Sequence, residues 1–212
     1  MEKKKAGNIK ENSKEKILYH ATKLFAMKGF EGTSIREICR AADINLCMIS
    51  YYWGGKKELY RGILDDLIEK QTEYAKTFVD FNLDIFKLDK KEQIKLLYKS
   101  LDKFVDFFYS KISSDLIIIL LKEQQKQNCI INSPAFNFLR KLIAAVFDKP
   151  IDDREIIFKT AFIISQVNSP KILPAFTLNF LGQKEFKSDD IKIIKNNVRF
   201  YVENLLKEAK IV

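Results

Sequence analysis

Glycine and proline are scarce in this chain, with 7 Gly and 4 Pro among 212 residues. These residues punctuate a backbone. A strand-rich chain needs them at short intervals, whereas long helices need few. The expected fold class is therefore all-α. With 47% hydrophobic residues and 17 Phe there is ample core material, which argues against wholesale disorder. The length suits one large domain or two small ones.

Composition also removes reaction classes. His20 is the only histidine, so a multi-histidine metal site or a Ser-His-Asp triad is not expected, and no metal, cofactor or catalytic residue is assigned. Cys39, Cys47 and Cys129 are odd in number, widely spaced and form no C-x-x-C pair, which fits a reducing cytoplasm. The start, Met1-Glu2-Lys3-Lys4-Lys5, is charged and no apolar stretch follows, so no signal peptide is expected. The longest apolar run, Leu116 to Leu121, falls far short of the roughly 20 residues that cross a bilayer. The reading is a cytoplasmic, non-enzymatic protein with no membrane partner.

The net charge of +9 is unevenly spread: residues 1–62 hold 13 Lys plus Arg against 7 Asp plus Glu, a net +6. A basic bias fits either nucleic-acid binding or a Lys-rich solvated surface, so its location matters.

Apolar periodicity predicts a first helix over 14–28, with Ser13 as N-cap and Gly29 as its stop. Thr33 or Ser34 caps a short second helix with Ile35, Ile38, Cys39 and Ala42 on one face. Arg36, Glu37 and Arg40 lie on its wet side. Ala42-Asp43-Ile44-Asn45 reads as a tight turn, with Asn45 capping a third helix over 46–53. A long fourth helix opens at Lys56. This order is a helix-turn-helix arrangement. Beyond residue 75 the helices lengthen: 92–111, then 114 to about 127 as a central buried helix, then 134–147 after the Ser133 cap. Asp152 or Asp153 caps a segment to about 167, interrupted at Asn168-Ser169-Pro170. Residues 171–181 form a short helix or loop, and Ser188-Asp189 caps a last helix.

The third helix is the candidate for the major groove. Asn45 suits two roles, capping its helix or pairing with adenine, while Ser50 and Tyr51 can donate to bases or phosphates. Leu46 and Met48 suit either thymine-methyl contact or partial burial. Thr33, at a helix start, can hold a phosphate through its hydroxyl and N–H, and Lys56 and Lys57 add charge at another helix start. By its apolar spacing Tyr52 reads as core more readily than as contact.

These residues carry a family resemblance. Leu24-Phe25, Gly29-Phe30, Thr33-Ser34, Ile38, Tyr51-Tyr52-Trp53, Lys56 and Leu59 follow in order the pattern LF-x-x-x-G-[FY], T-[ST]-x-x-x-I-A, then YYF-x-x-K-x-x-L. The stretch Lys16–Tyr60 thus resembles the DNA-binding domain of TetR-family transcriptional regulators. The resemblance implies phosphate contacts from Thr33, Tyr52 and Lys56, and base reading within residues 44–51. The implied DNA-contacting set is Thr33, Ser34, Ile44, Asn45, Leu46, Met48, Ser50, Tyr51, Tyr52 and Lys56. Two departures stand out: Asp43 replaces the usual turn glycine, and Leu46-Cys47-Met48 replaces the frequent Lys-Gly-Thr. Asn45 with Tyr51-Tyr52-Trp53-Gly54 is similar to the CecR-like branch.

The resemblance also implies a DNA-binding domain over 10–74 and a helical ligand-binding and dimerisation domain over 75–212. Its partners would be a palindromic duplex operator, a second copy joined through the last two long helices, and a small apolar or amphipathic effector. Candidate pocket residues are Phe104, Phe107, Phe108, Glu123, Phe158 and Phe162, each of which is also an ordinary core or surface residue on its own pattern. The leading expectation is a repressor released from its operator by the effector. The alternatives are a non-specific nucleoid-type DNA binder and a helical small-molecule or lipid-binding protein.

Overall fold

The computed structural model describes residues 2–125 and 133–212, with side chains described from Ser13 onward. Cys129 and the expected end of the helix near 127 lie outside those residues. Among the described residues all regular structure is helical. In chain order the helices are α1 (Glu2–Lys28), α2 (Ile35–Ala42), α3 (Cys47–Trp53), α4 (Lys56–Lys76), α5 (Lys90–Lys111) and α6 (Ser114–Gln124). Then follow α7 (Pro134–Val146), α8 (Arg154–Ile172), α9 (Leu178–Leu181) and α10 (Ser188–Glu208). The chain divides into two compact units. One takes the chain as far as Lys70 together with α6, and the other takes Gln71–Ile112 and everything from α7 onward.

In the first unit, Ser13 does not cap a helix but lies inside α1, which begins eleven residues earlier, at Glu2. The stretch ahead of Ser13 is rich in Lys and Glu and has no proline, so the helix runs through it despite the weak helix formers Gly7 and Asn8. At the other end Gly29 takes φ 74 and donates its N–H to the Phe25 carbonyl at 3.0 Å, closing α1. The core gathers Ile17, Ala21 and Phe25 of α1, Ile38 and Cys39 of α2, Ile49 of α3, and Leu59, Tyr60 and Ile63 of α4. Tyr60 meets both Phe25 (5.0 Å) and Phe30 (5.4 Å) edge to face, a favourable aromatic arrangement. A Cβ on Gly62 would lie 2.3 Å from Trp53 Nε1, so the bare backbone of α4 is what admits the indole ending α3.

The helix expected to be central and buried takes a different place. α6 inserts Ile119, fully buried, into this same core, and Lys122 Nζ donates to the Ala26 carbonyl at 3.2 Å. Its Ile118 is 40% exposed.

The buried helix of the second unit is α7, whose Leu142, Ile143, Ala144, Ala145 and Val146 are all inaccessible or nearly so. Against it pack Leu97, Leu101 and Val105 of α5 and Ile156, Ile163 and Val167 of α8. α10 lays Ile194, Val198, Val202 and Leu206 on α5 and α8. Lys90 Nζ donates to the last carbonyls of α7, Ala145 and Val146, at 2.9 Å each, and pairs with Asp148. Pro170 does not end α8, which runs to Ile172. Lys171 Nζ donates to the Phe108 and Ile112 carbonyls, and Tyr109 Oη donates to the Val167 carbonyl at 2.9 Å. These bonds hold the helix on both sides of the proline. α10 starts at Ser188, and the Asp190 carboxylate accepts the Lys187 N–H at 2.7 Å.

Candidate nucleic-acid interface

The α2–α3 pair is held from its inner side. Ile38, Cys39 and Ala42 bury one face of α2, and Ile49 is the fully buried anchor of α3. The turn between them passes through Asp43 at φ 53, with the Ile44 N–H donated to the Cys39 carbonyl at 3.0 Å. Aspartate tolerates this left-handed region better than most side chains, so the turn closes without glycine.

Fixing Ile49 inward decides what α3 turns outward. Asn45, Leu46, Cys47, Ser50 and Tyr51 are exposed, Tyr51 by 66%. Cys47, Ser50 and Tyr51 fall at i, i+3 and i+4 and therefore share a face. Cys47 belongs to that face, although the sequence reading left it out of the contact set. The same spacing identifies it. Ile44, Met48 and Tyr52 turn back and pack against the core. Tyr52 sits edge-on between Tyr51 (5.1 Å) and Trp53 (5.5 Å). Asn45 Oδ1 accepts the Cys47 N–H at 3.0 Å. α3 starts at Cys47 with Leu46 at its N-cap position, so Asn45 stands one residue outside the expected cap. Bidentate pairing with adenine needs both ends of the amide, so this bond leaves Asn45 its Nδ2 donors for another partner.

The start of α2 differs from expectation. Thr33 is buried, its hydroxyl donating to the Leu24 carbonyl (3.1 Å) and the Gly29 carbonyl (2.8 Å), and its N–H to Phe30 (3.4 Å). The phosphate role given to its hydroxyl and N–H is thus occupied by internal bonds that clasp the end of α1. Ser34 is the cap: its Oγ accepts the Glu37 N–H at 3.2 Å, while Glu37 accepts the Ser34 N–H at 2.9 Å. Lys28 pairs with Glu37 at 2.6 Å. The Lys28 ammonium first, then the Ser34 N–H and hydroxyl, lower the Glu37 carboxyl from 4.5 to about 2. The Lys56 ammonium lies 4.4 Å above the Phe30 ring, a cation–π contact at the first turn of α4. Lys57, Arg36 and Arg40 are exposed.

The second unit holds an aromatic cavity of about 40 Å³. Phe104 and Phe107 line it with Tyr74, Phe78, Phe136 and Phe138. The other four candidate pocket residues lie elsewhere. Phe108 is buried outside the lining, and Glu123 is buried on α6 in the first unit. Phe158 and Phe162, one turn apart on α8, are 52% and 54% exposed and stack on each other at 6.3 Å.

Comparison with known proteins finds its sequence likeness mainly in the N-terminal unit. The profile of "Bacterial regulatory proteins, tetR family" matches residues 17–63, from the first buried residue of α1 into α4. Over these residues the chain is similar to the tetR-family regulators. The regulator YttP of Bacillus subtilis, described as a "Probable HTH-type transcriptional regulator", is 33% identical over 118 residues, covering 52% of this chain and 56% of YttP. IcaR of Staphylococcus epidermidis, described as a negative transcriptional regulator of the biofilm operon, is 30% identical over 92 residues, covering 43% and 45%. The chain thus spans about half the length of these relatives. A regulator from Aquifex aeolicus shares the fold across nearly the whole chain: TM-score 0.60, 18% identity, covering 91% of this chain and 99% of that one. HlyIIR, a haemolysin II transcriptional regulator, aligns with TM-score 0.52 at 23% identity, covering 89% and 97%. These relatives and structural neighbours are described as regulators, not enzymes. Among the described residues no helix is long and apolar enough to cross a membrane.

Proposed function

We propose that this protein is a sequence-specific transcriptional repressor that binds a palindromic duplex as a homodimer and is released by a small apolar or amphipathic effector. The observation that carries the reading is the outward face of α3. Asn45, Leu46, Cys47, Ser50 and Tyr51 present one amide, two hydroxyls and apolar groups together, on a helix whose opposite face is pinned by Ile49. Such a face suits base edges, while Lys56 and Lys57 at the start of α4 suit the phosphates beside them. The DNA-reading head corresponds to the unit that ends at Lys70 together with α6, and the ligand-binding body to the unit that begins at Gln71.

Exposed apolar side chains support self-association. Ile157, Phe158 and Phe162 on α8 and Ile193 and Phe200 on α10 are 45–67% exposed, on the two long helices that end the chain. A second copy packed against them as a four-helix bundle buries these residues and sets two α3 helices against successive major grooves, about 34 Å apart. Release follows if the effector favours a conformation in which that spacing is wrong.

Lys56→Ala and Ser50→Ala separate the two kinds of contact. Lys56→Ala weakens binding to all duplexes alike and lowers the salt slope by about one, whereas Ser50→Ala costs about 1–3 kcal/mol at one base position. Unchanged affinity in both variants, measured by fluorescence anisotropy, overturns the assignment.

A further inference from the structure

The cavity in the second unit holds a polar group that packing leaves without a partner. Ser100, on α5, is only 7% exposed, and its hydroxyl has no hydrogen-bond partner among the described residues. A buried helical serine commonly donates to the carbonyl one turn back; this one does not, and it lines the cavity beside Phe104 and Phe107. Native structures rarely leave such a hydroxyl unsatisfied. Two other side chains in the wall carry polar atoms, Gln71 and Tyr74, and Gln71 already accepts a hydrogen bond from the buried Ser133 hydroxyl. No lining residue is charged.

We infer that this cavity takes a compact, uncharged aromatic molecule with one hydrogen-bonding group, a phenol or an aromatic alcohol, docked on the Ser100 hydroxyl. The inference rests on the effector reading above and narrows it to a chemical class. An ion meeting this wall would lose its hydration and gain no counter-charge, so carboxylates and ammonium compounds are excluded. A ring, by contrast, meets the edges and faces of phenylalanines. The cavity of about 40 Å³ is smaller than the roughly 150 Å³ that admits benzene in an apolar protein core. Entry therefore requires rings to part. Phe104 and Phe136, in edge contact at 5.4 Å and both in the lining, are the pair that must do so. Because Phe136 stands in the first turn of α7 and Phe104 on α5, filling the cavity separates those two helices.

The test is calorimetric titration of the full chain, without DNA, using phenol, benzyl alcohol, toluene, benzoate and benzyltrimethylammonium. Phenol or benzyl alcohol is expected to bind, with both ions weaker by more than about tenfold. Ser100→Ala should weaken the hydroxyl-bearing probe by about tenfold and leave toluene unchanged. Ala135→Leu, which fills the cavity from α7, should abolish binding of all probes, with circular dichroism confirming that both variants are folded. Equal binding of neutral and charged probes overturns the inference. So does a Ser100→Ala variant that binds phenol normally, or the absence of heat with every probe. DNA takes no part in this titration, so its failure leaves the DNA-binding reading standing, and a chain that binds phenol but no duplex contradicts only that reading.

Discussion

Thr33 shows how one side chain can satisfy a family pattern for a structural reason. Its hydroxyl bridges two carbonyls at the end of α1 and is buried, so Thr33→Val leaves those carbonyls short of a donor and should destabilise the protein by about 1–3 kcal/mol. Thr33→Ser keeps the hydroxyl and should restore most of that stability in a urea titration. If Thr33→Val keeps full stability yet loses DNA affinity, the hydroxyl faces phosphate instead. Glu37 makes the companion case for pH. Lys28 and the Ser34 cap favour its charged form, lowering its carboxyl from 4.5 to about 2. A lowered folded-state value means stability that is present above the ordinary value and lost as pH falls toward the folded one. Acid should therefore remove this contribution between pH 4.5 and about 2. Glu37→Gln should flatten the stability profile across that window, and because the pair is exposed the difference should shrink in high salt.

At the scale of elements, α6 and the α3–α4 junction invite direct tests. Ile119→Ala removes a fully buried side chain from the N-terminal core and should cost about 2–5 kcal/mol. Hydrogen exchange should then accelerate in α1 amides, next to which Lys122 bonds Ala26. If exchange in α1 is unchanged, α6 is not an integral part of that core. Gly62→Ala gains up to about 1 kcal/mol of helix propensity, but its new methyl collides with Trp53, an overpacking that costs about 1–3 kcal/mol. Since Trp53 is the only tryptophan, its fluorescence reports the displacement directly, as a red shift. The short helices are legible because caps and spacing agree there: Ser34 and Asp43 stand at the boundaries their chemistry indicates, while α3 starts at Cys47, one residue later than expected, with Asn45 Oδ1 accepting its first N–H. α6 was misread because an apolar run says that a helix is buried without saying against what. Pro170 was misread as a stop because the bonds from Lys171 and Tyr109 that carry α8 past it come from side chains whose partners are about 60 residues away. Aromatic character makes Phe158 and Phe162 pocket candidates, but it does not distinguish a lining residue from an exposed one.

At the scale of the whole molecule, α3 is proposed to read DNA and the long helices α8 and α10 to self-associate. Replacing Phe158 and Phe162 together by Asp should convert dimer to monomer in sedimentation without unfolding the chain, since both side chains are more than half exposed. A monomer reads one half-site, so operator affinity should fall in parallel; an unchanged sedimentation coefficient would place the interface elsewhere. The central claim is sequence-specific recognition through α3. Its most direct test is selection from a pool of random duplexes by the full chain, followed by affinity measurement across a salt series. One dyad-symmetric sequence should be bound at least about 10³-fold more tightly than random DNA, a preference that Ser50→Ala relaxes at matching positions in both half-sites. Equal affinity for every duplex, varying only with salt, would contradict it.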